Sequence, residues 1–202
     1  MNTSAIPRFV VILDQAGARH DISEVAVAAI RGGVDIVQVR EKWLPPEDVV
    51  EIAKLVISAV SDPTRVAVNG YPEIAADLGT HLHLPDEFMF DRASSKLASG
   101  ALVSSSIHGH CHDLGADYVI LGNVLPTASK PGKAGIRYQE FERVVRDCPC
   151  PVLAIGGIGP AHVAEVMKRG AHGVAVRSFV IESDHPEQSA RAIRTEIDRW
   201  TR

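Results

Sequence analysis

No apolar run in this 202-residue chain is long enough to cross a bilayer. None serves as a secretory leader either, because Met1 to Arg8 is polar and Phe9-Val10-Val11-Ile12-Leu13 is far too brief. No membrane partner is expected. Positive charge is in short supply: 21 lysines and arginines stand against 25 acidic residues, a formal net charge of −4. That balance argues against a nucleic-acid or polyanion surface and leaves any cations to act locally. Cysteine is scarce too. Cys111, Cys148 and Cys150 are odd in number and contain no Cys-x-x-Cys pair, so a reducing, cytoplasmic setting is favoured over a disulfide framework. Cys148-Pro149-Cys150 reads as a turn, its thiols either a redox pair or merely small loop residues.

What the chain has in quantity is alternation. Eight short apolar runs read as strands: Phe9–Leu13, Val34–Arg40, Arg65–Asn69, His81–Leu84, Ala101–Ser105, Ala116–Leu121, the run after Pro151, and Gly173–Val176. Helical spans separate them. Asp21 opens a helix with Ile22, Val25, Ala26, Ala29 and Ile30 on one face and Gly32-Gly33 behind it. Pro45-Pro46 begins the next, Pro72 to Leu78 another, a short one fits Asp91 to Ala98, and Ala161 to Arg169 and Pro186 to Thr201 complete the series. This pattern predicts a parallel sheet with helical crossovers. Periodicity alone does not separate an open sheet from a closed one. Polar residues decide it: Asp14, Arg40, Asn69, Ser106, Asn123, Gly156 and Ser178 all fall at or just past the ends of strands, where a barrel would gather them at one mouth. The expectation is a compact (β/α)8 TIM barrel over residues 1–202, one domain, with shortened helices after strands four and five.

The strand ends suggest an anion site. Gly156-Gly157 follows a buried strand and precedes a helix whose positive end points back at them, and the next strand ends in Arg177-Ser178. Two neighbouring loops of this kind hold phosphate after strands seven and eight of many barrels. Gln38, Arg40 and Lys42 alternate along the second strand and share a side, offering two cations and an amide to a phosphate or diphosphate; the competing reading pairs Arg40 and Lys42 with Asp35 or Glu41 at the surface. The loop Pro126-Thr127-Ala128-Ser129-Lys130-Pro131-Gly132 brings two hydroxyls and an ammonium, suited to closing over an anionic leaving group. His108-Gly109-His110-Cys111-His112 invites a metal reading, but alternate positions on a short turn do not make a tetrahedral set, and His108 fits better as a proton carrier.

Taken in order, Gln38-Val39-Arg40-Glu41-Lys42, Asn69-Gly70, Ser106-Ile107-His108, Gly115 to Val119, Pro126 to Pro131, Ala154 to Ile158 and Gly170 to Val176 resemble the thiamine phosphate synthase and thiazole tautomerase (TenI-like) superfamily. In the synthases that this resembles, a hydroxymethylpyrimidine diphosphate ionises, the thiazole nitrogen captures the cation, and magnesium holds the departing diphosphate. The resemblance assigns Gln38, Arg40, Lys42 and Asn69 to the pyrimidine diphosphate, Thr127, Ser129 and Lys130 to the diphosphate and thiazole, and Gly157, Arg177 and Ser178 to the thiazole phosphate, with Gly156 beside them. The chain departs from the synthase pattern at Gly70, where a magnesium carboxylate is called for, and at Leu84-Pro85-Asp86-Glu87-Phe88, where Asp86 or Glu87 would have to substitute. Asn69-Gly70 and His83-Leu84-Pro85 look instead like the tautomerase branch, which needs no metal, although that branch can carry a histidine where this chain has Asn123, and asparagine moves no proton at neutral pH.

The sequence expectation is therefore a metal-independent, tautomerase-like isomerase that binds thiazole phosphate, with His108, Lys130 and Asn123 as its catalytic residues. A magnesium-dependent synthase is the alternative, and a non-catalytic binder of thiazole phosphate the second. An unrelated phosphate-binding barrel isomerase would explain Gly156-Gly157 but neither the Gln38–Lys42 strand nor the loop with Lys130. A homodimer is left open.

Overall fold

The computed structural model describes residues 6–85, 96–111, 115–126 and 135–200. Its strands are β1 (Phe9–Leu13), β2 (Ile36–Val39), β3 (Val66–Asn69), β4 (His81–Leu84), β5 (Val103–Ile107), β6 (Tyr118–Leu121), β7 (Val152–Ile155) and β8 (Gly173–Val176). All pair in parallel with their sequence neighbours, and β8 returns to β1, closing an eight-stranded barrel. The helices are α1 (Ile22–Arg31), α2 (Pro46–Val60), α3 (Pro72–Leu78), α4 (Tyr138–Asp147), α5 (Pro160–Lys168), α6 (Ser178–Ile181) and α7 (Pro186–Asp198).

Each strand divides its side chains between two cores because successive residues point to opposite faces. In β1, Phe9, Val11 and Leu13 pack outward beneath the helices, whereas Val10 and Ile12 point into the barrel with Ile36, Ala67, Ile120, Leu153 and Ala175. Burial of each large aliphatic side chain contributes roughly 1.5–3 kcal/mol, so the two layers together supply the main cohesive force. Helices start where local chemistry satisfies their first N–H groups. The Asp21 carboxylate accepts from Ser23 and Glu24 N–H at the head of α1, and prolines occupy the first turn of α2, α3, α5 and α7, where no N–H is needed. At the opposite end from the mouth, Asp35 accepts from the Arg8 and Phe9 N–H groups, both at 2.8 Å, and pairs with Arg194 of α7 at 2.7 Å. That position removes Asp35 as a surface partner for Arg40 or Lys42.

Several element boundaries shift from expectation. The second strand is trimmed to Ile36–Val39, and the fifth moves two residues forward, with the Asp117 carboxylate taking the Val103 N–H at 2.7 Å. Helix α4 has only Phe141 and Val144 buried, too thin an apolar stripe to stand out in the sequence. The short helix placed at Asp91 to Ala98 falls mainly on residues outside those described, and 96–98 are not helical. Between β5 and β6 the described residues contain no helix. Cys111 and Cys148 form a disulfide, which corrects the expectation drawn from the odd cysteine count: a third sulfur does not prevent the other two from meeting.

Candidate active site

A cavity of about 1220 Å³ opens at the C-terminal ends of the strands. Gln38, Arg40, Lys42 and Asn69 line one part of its wall, and Gly156, Gly157, Arg177 and Ser178 line another, with His108 and Asn123 between. The described residues named in the sequence as catalytic or substrate-binding thus share one space, and Asp14 is not part of its lining. Thr127, Ser129 and Lys130 lie outside the described residues.

On the β2 side the alternation places Gln38 inside the barrel, almost fully buried, with Arg40 and Lys42 successively nearer the opening. The Arg40 N–H donates to the Leu13 carbonyl at 2.9 Å, which extends the β1–β2 ladder past its last strand residue and fixes where the guanidinium starts. Burial lowers the Arg40 pKa, with Asp14 opposing that shift, but a guanidinium remains charged at neutral pH. Glu41, which also lines the cavity, accepts from the Gln15 N–H at 2.7 Å; burial and then the nearby Asp14 charge raise its pKa.

At the β7 end, Gly156 and Gly157 have φ of 113° and 65°. A Cβ on Gly156 would lie 2.2 Å from Asn123 Oδ1, and one on Gly157 would lie 2.5 Å from the Pro126 carbonyl oxygen. The pair is therefore required twice, by its left-handed backbone and by the strand-six loop that leans on it through Val124 N–H to Ile155 O and Leu125 N–H to Gly156 O. Ser178 begins α6, the short extra helix that follows β8, rather than ending a strand as expected. Arg177 is committed elsewhere. Its guanidinium donates to both carboxylate oxygens of Asp14 and reaches Glu182 at 3.3 Å, so it braces the β8–β1 seam at the rim instead of presenting an uncommitted fork to a phosphate. Burial pushes the Asp14 pKa up, but its bonds to Arg177 outweigh that and the net shift is downward.

His83 lies near the end of β4, almost fully buried. It is the centre of a polar chain inside the barrel: Nδ1 lies 2.8 Å from Ser104 Oγ and Nε2 2.9 Å from Ser106 Oγ, while Ser104 also bonds the buried Tyr118 phenol. Burial, and then the Arg40 charge, hold the His83 pKa down at about 3, so the ring is neutral. Ser104 Oγ donates to the Leu82 carbonyl at 3.4 Å. In the neutral imidazole one ring nitrogen donates and the other accepts, so His83 ties the Ser104 and Ser106 hydroxyls together, with Ser106 on the cavity wall. The period-2 spacing of His81, His83, Ser104 and Ser106 was the signal available in the sequence. His108 is exposed, and its Nδ1 lies 3.0 Å from the Gly122 carbonyl oxygen, to which it donates. Asn123 Nδ2 is buried without a hydrogen-bond partner, an unspent donor on the cavity wall.

Among the described residues, the mouth does not assemble an oxygen-donor set for a hard cation. Asp14 is held by Arg177, Glu41 by the Gln15 N–H, and position 70 is glycine. The one cluster of three potential metal ligands among those residues is Cys111, Cys148 and Cys150, away from the mouth. Asp86 and Glu87 lie outside the described residues.

A closed parallel barrel whose mouth gathers cationic and amide groups with a Gly-Gly turn defines a (β/α)8 barrel with a polar, partly cationic mouth. The family model described as thiamine monophosphate synthase matches residues 9–180, and the chain belongs to that family. It is 31% identical to the thiamine-phosphate synthase of Haloquadratum walsbyi over 98% of this chain and 93% of the relative. It is 35% identical to the thiamine-phosphate synthase of Salinibacter ruber over 87% of this chain and 82% of the relative. The fold matches a thiamine phosphate pyrophosphorylase structure from Pyrococcus furiosus with a TM-score of 0.78 at 24% identity, covering 96% of each chain.

These relatives overturn the expectation of a tautomerase-like isomerase. Proteins that carry the synthase name match across nearly the whole chain at 31–35% identity, which supports a transferase. The error came from weighting two loop positions, Gly70 and Pro85, above the ordered succession of strand-end motifs. No helix of the described residues is long and apolar enough to cross a membrane.

Proposed function

We propose that this protein is a thiamine phosphate synthase, joining hydroxymethylpyrimidine diphosphate to thiazole phosphate with release of diphosphate. The observation that carries the reading is the agreement of two independent facts: relatives named thiamine-phosphate synthase align over most of the chain, and one cavity gathers Gln38, Arg40 and Lys42 opposite Gly156, Gly157 and Ser178.

In this reading the C–O bond between the pyrimidine methylene and the diphosphate breaks, and the leaving group keeps the electron pair. The thiazole nitrogen lone pair then forms the new C–N bond, leaving a thiazolium and requiring no redox partner. Arg40 and Lys42 stabilise the negative charge that develops on the departing diphosphate, an interaction stronger in the transition state than before it. Thr127, Ser129 and Lys130 keep the role that the family resemblance gives them, toward diphosphate and thiazole. Ser106, held by His83 on the cavity wall, suits a polar substituent of the pyrimidine, and Asn123 Nδ2 suits an acceptor. Gly157 and Ser178 receive the thiazole phosphate, with the head of α6 beside it. The family reaction implies magnesium, but the described donors do not fit it, so none of these assignments passes through a metal.

A coupled assay of diphosphate release tests this. Release should require both substrates together; release from the pyrimidine diphosphate alone at the same rate, or none with both present, would reject a transferase.

A further inference from the structure

The crossover from β5 to β6 is confined to residues 108–117, below the dozen or so that a parallel connection with a helix ordinarily needs. The described residues of this connection contain no helix to cover the outer core, and three cysteines gather there. Cys111 from this connection, Cys148 from the end of α4 and Cys150 before β7 all pack partly buried against the outer hydrophobic layer. Their sulfurs lie within 4.8 Å of one another, and Cys148 Sγ is 4.0 Å from Cys150 Sγ.

A disulfide between Cys111 and Cys148 accounts for two of these sulfurs and gives no reason for the third. A bound cation does. With zinc–sulfur bonds of about 2.3 Å, the sulfurs of a tetrahedral thiolate site stand roughly 3.8 Å apart, close to the Cys148–Cys150 separation. Cys150 also lines a hollow of about 390 Å³ at the N-terminal end of the barrel, which gives a fourth, solvent ligand an approach.

We propose that in the reduced protein Cys111, Cys148 and Cys150 bind one thiophilic divalent cation of the zinc type, pinning the short β5–β6 connection to the junction of α4 and β7. Binding displaces thiol protons and involves no change of oxidation state. The disulfide and the metal site use the same sulfurs, so the two states exclude each other.

The test uses the full chain, freed of metal and reduced with a phosphine, which becomes its oxide as the disulfide becomes two thiols. Titration with Co(II) should give a thiolate-to-metal charge-transfer band that saturates at one equivalent and vanishes when zinc is added. Cys150→Ser should weaken cobalt binding by at least about tenfold, and Cys111→Ser likewise. Both variants should keep their diphosphate-releasing activity, because these cysteines do not line the mouth; should one fail to fold, the other carries the test. No charge-transfer band in the reduced protein, an undiminished band in Cys150→Ser, or equal binding by the oxidised protein would overturn the proposal.

Discussion

Arg177, just past β8, donates to both carboxylate oxygens of Asp14, just past β1, and so closes the barrel's first and last strands with a charge pair at the rim of the mouth. The carboxylate is only 12% exposed and the guanidinium 26%, so the pair is shielded from solvent on most sides.

Asp14→Asn should therefore destabilise the protein by about 1–3 kcal/mol at neutral pH, the usual worth of a hydrogen bond to a charged group. The net lowering of the Asp14 pKa fixes the sign. Its contribution is present above the ordinary carboxylate range and is lost as pH falls through the lowered value. Urea unfolding of wild type and variant should converge on acidification.

His83 makes a second pH prediction. Its pKa falls from the ordinary 6.5 to about 3 on folding, so between those values the unfolded chain binds more protons than the folded one. Stability should drop as pH is lowered from 6.5 toward 3, by an amount on the order of a few kcal/mol. His83→Asn should flatten that slope while raising the KM for the pyrimidine diphosphate, since Ser106 loses the ring that holds its hydroxyl in place.

Arg40→Ala should cut kcat/KM for the pyrimidine diphosphate by roughly 10²–10³ and leave the circular dichroism spectrum unchanged, because a lost charge-stabilising donor acts mainly on the transition state. Steady-state kinetics with each substrate varied in turn would show whether the loss lies on that side of the cavity.

Gly157→Ala should raise the KM for thiazole phosphate. The added methyl group would meet the Pro126 carbonyl and Leu125 at a backbone that already has φ of 65°, which displaces the strand-six loop from the proposed phosphate site. An unchanged KM would separate that turn from phosphate binding.

Much of the barrel was legible in the sequence because short buried strands and capped helices declare themselves locally. Phe9–Leu13, Pro72–Leu78, His81–Leu84 and Gly173–Val176 have the bounds read from the sequence. Of the polar strand-end residues read from the sequence, Arg40, Asn69, Ser106, Asn123, Gly156 and Ser178 line one cavity, whereas Asp14 does not. What escaped depends on contacts between distant residues. The Arg177–Asp14 pair joins the two ends of the sheet, and the His83 chain needs β4, β5 and β6 side by side. The disulfide likewise brings together residues 37 apart. The choice of reaction was misjudged because loop residues were read singly, whereas the relatives weigh the whole chain.

The central claim is that the mouth joins two substrates into one product. Its most direct test is to incubate the purified protein with hydroxymethylpyrimidine diphosphate, thiazole phosphate and magnesium, and to measure thiamine phosphate by oxidation to its fluorescent thiochrome. The account predicts product formation in wild type and little or none in Arg40→Ala; folded wild-type protein at high concentration that yields no thiamine phosphate would contradict it.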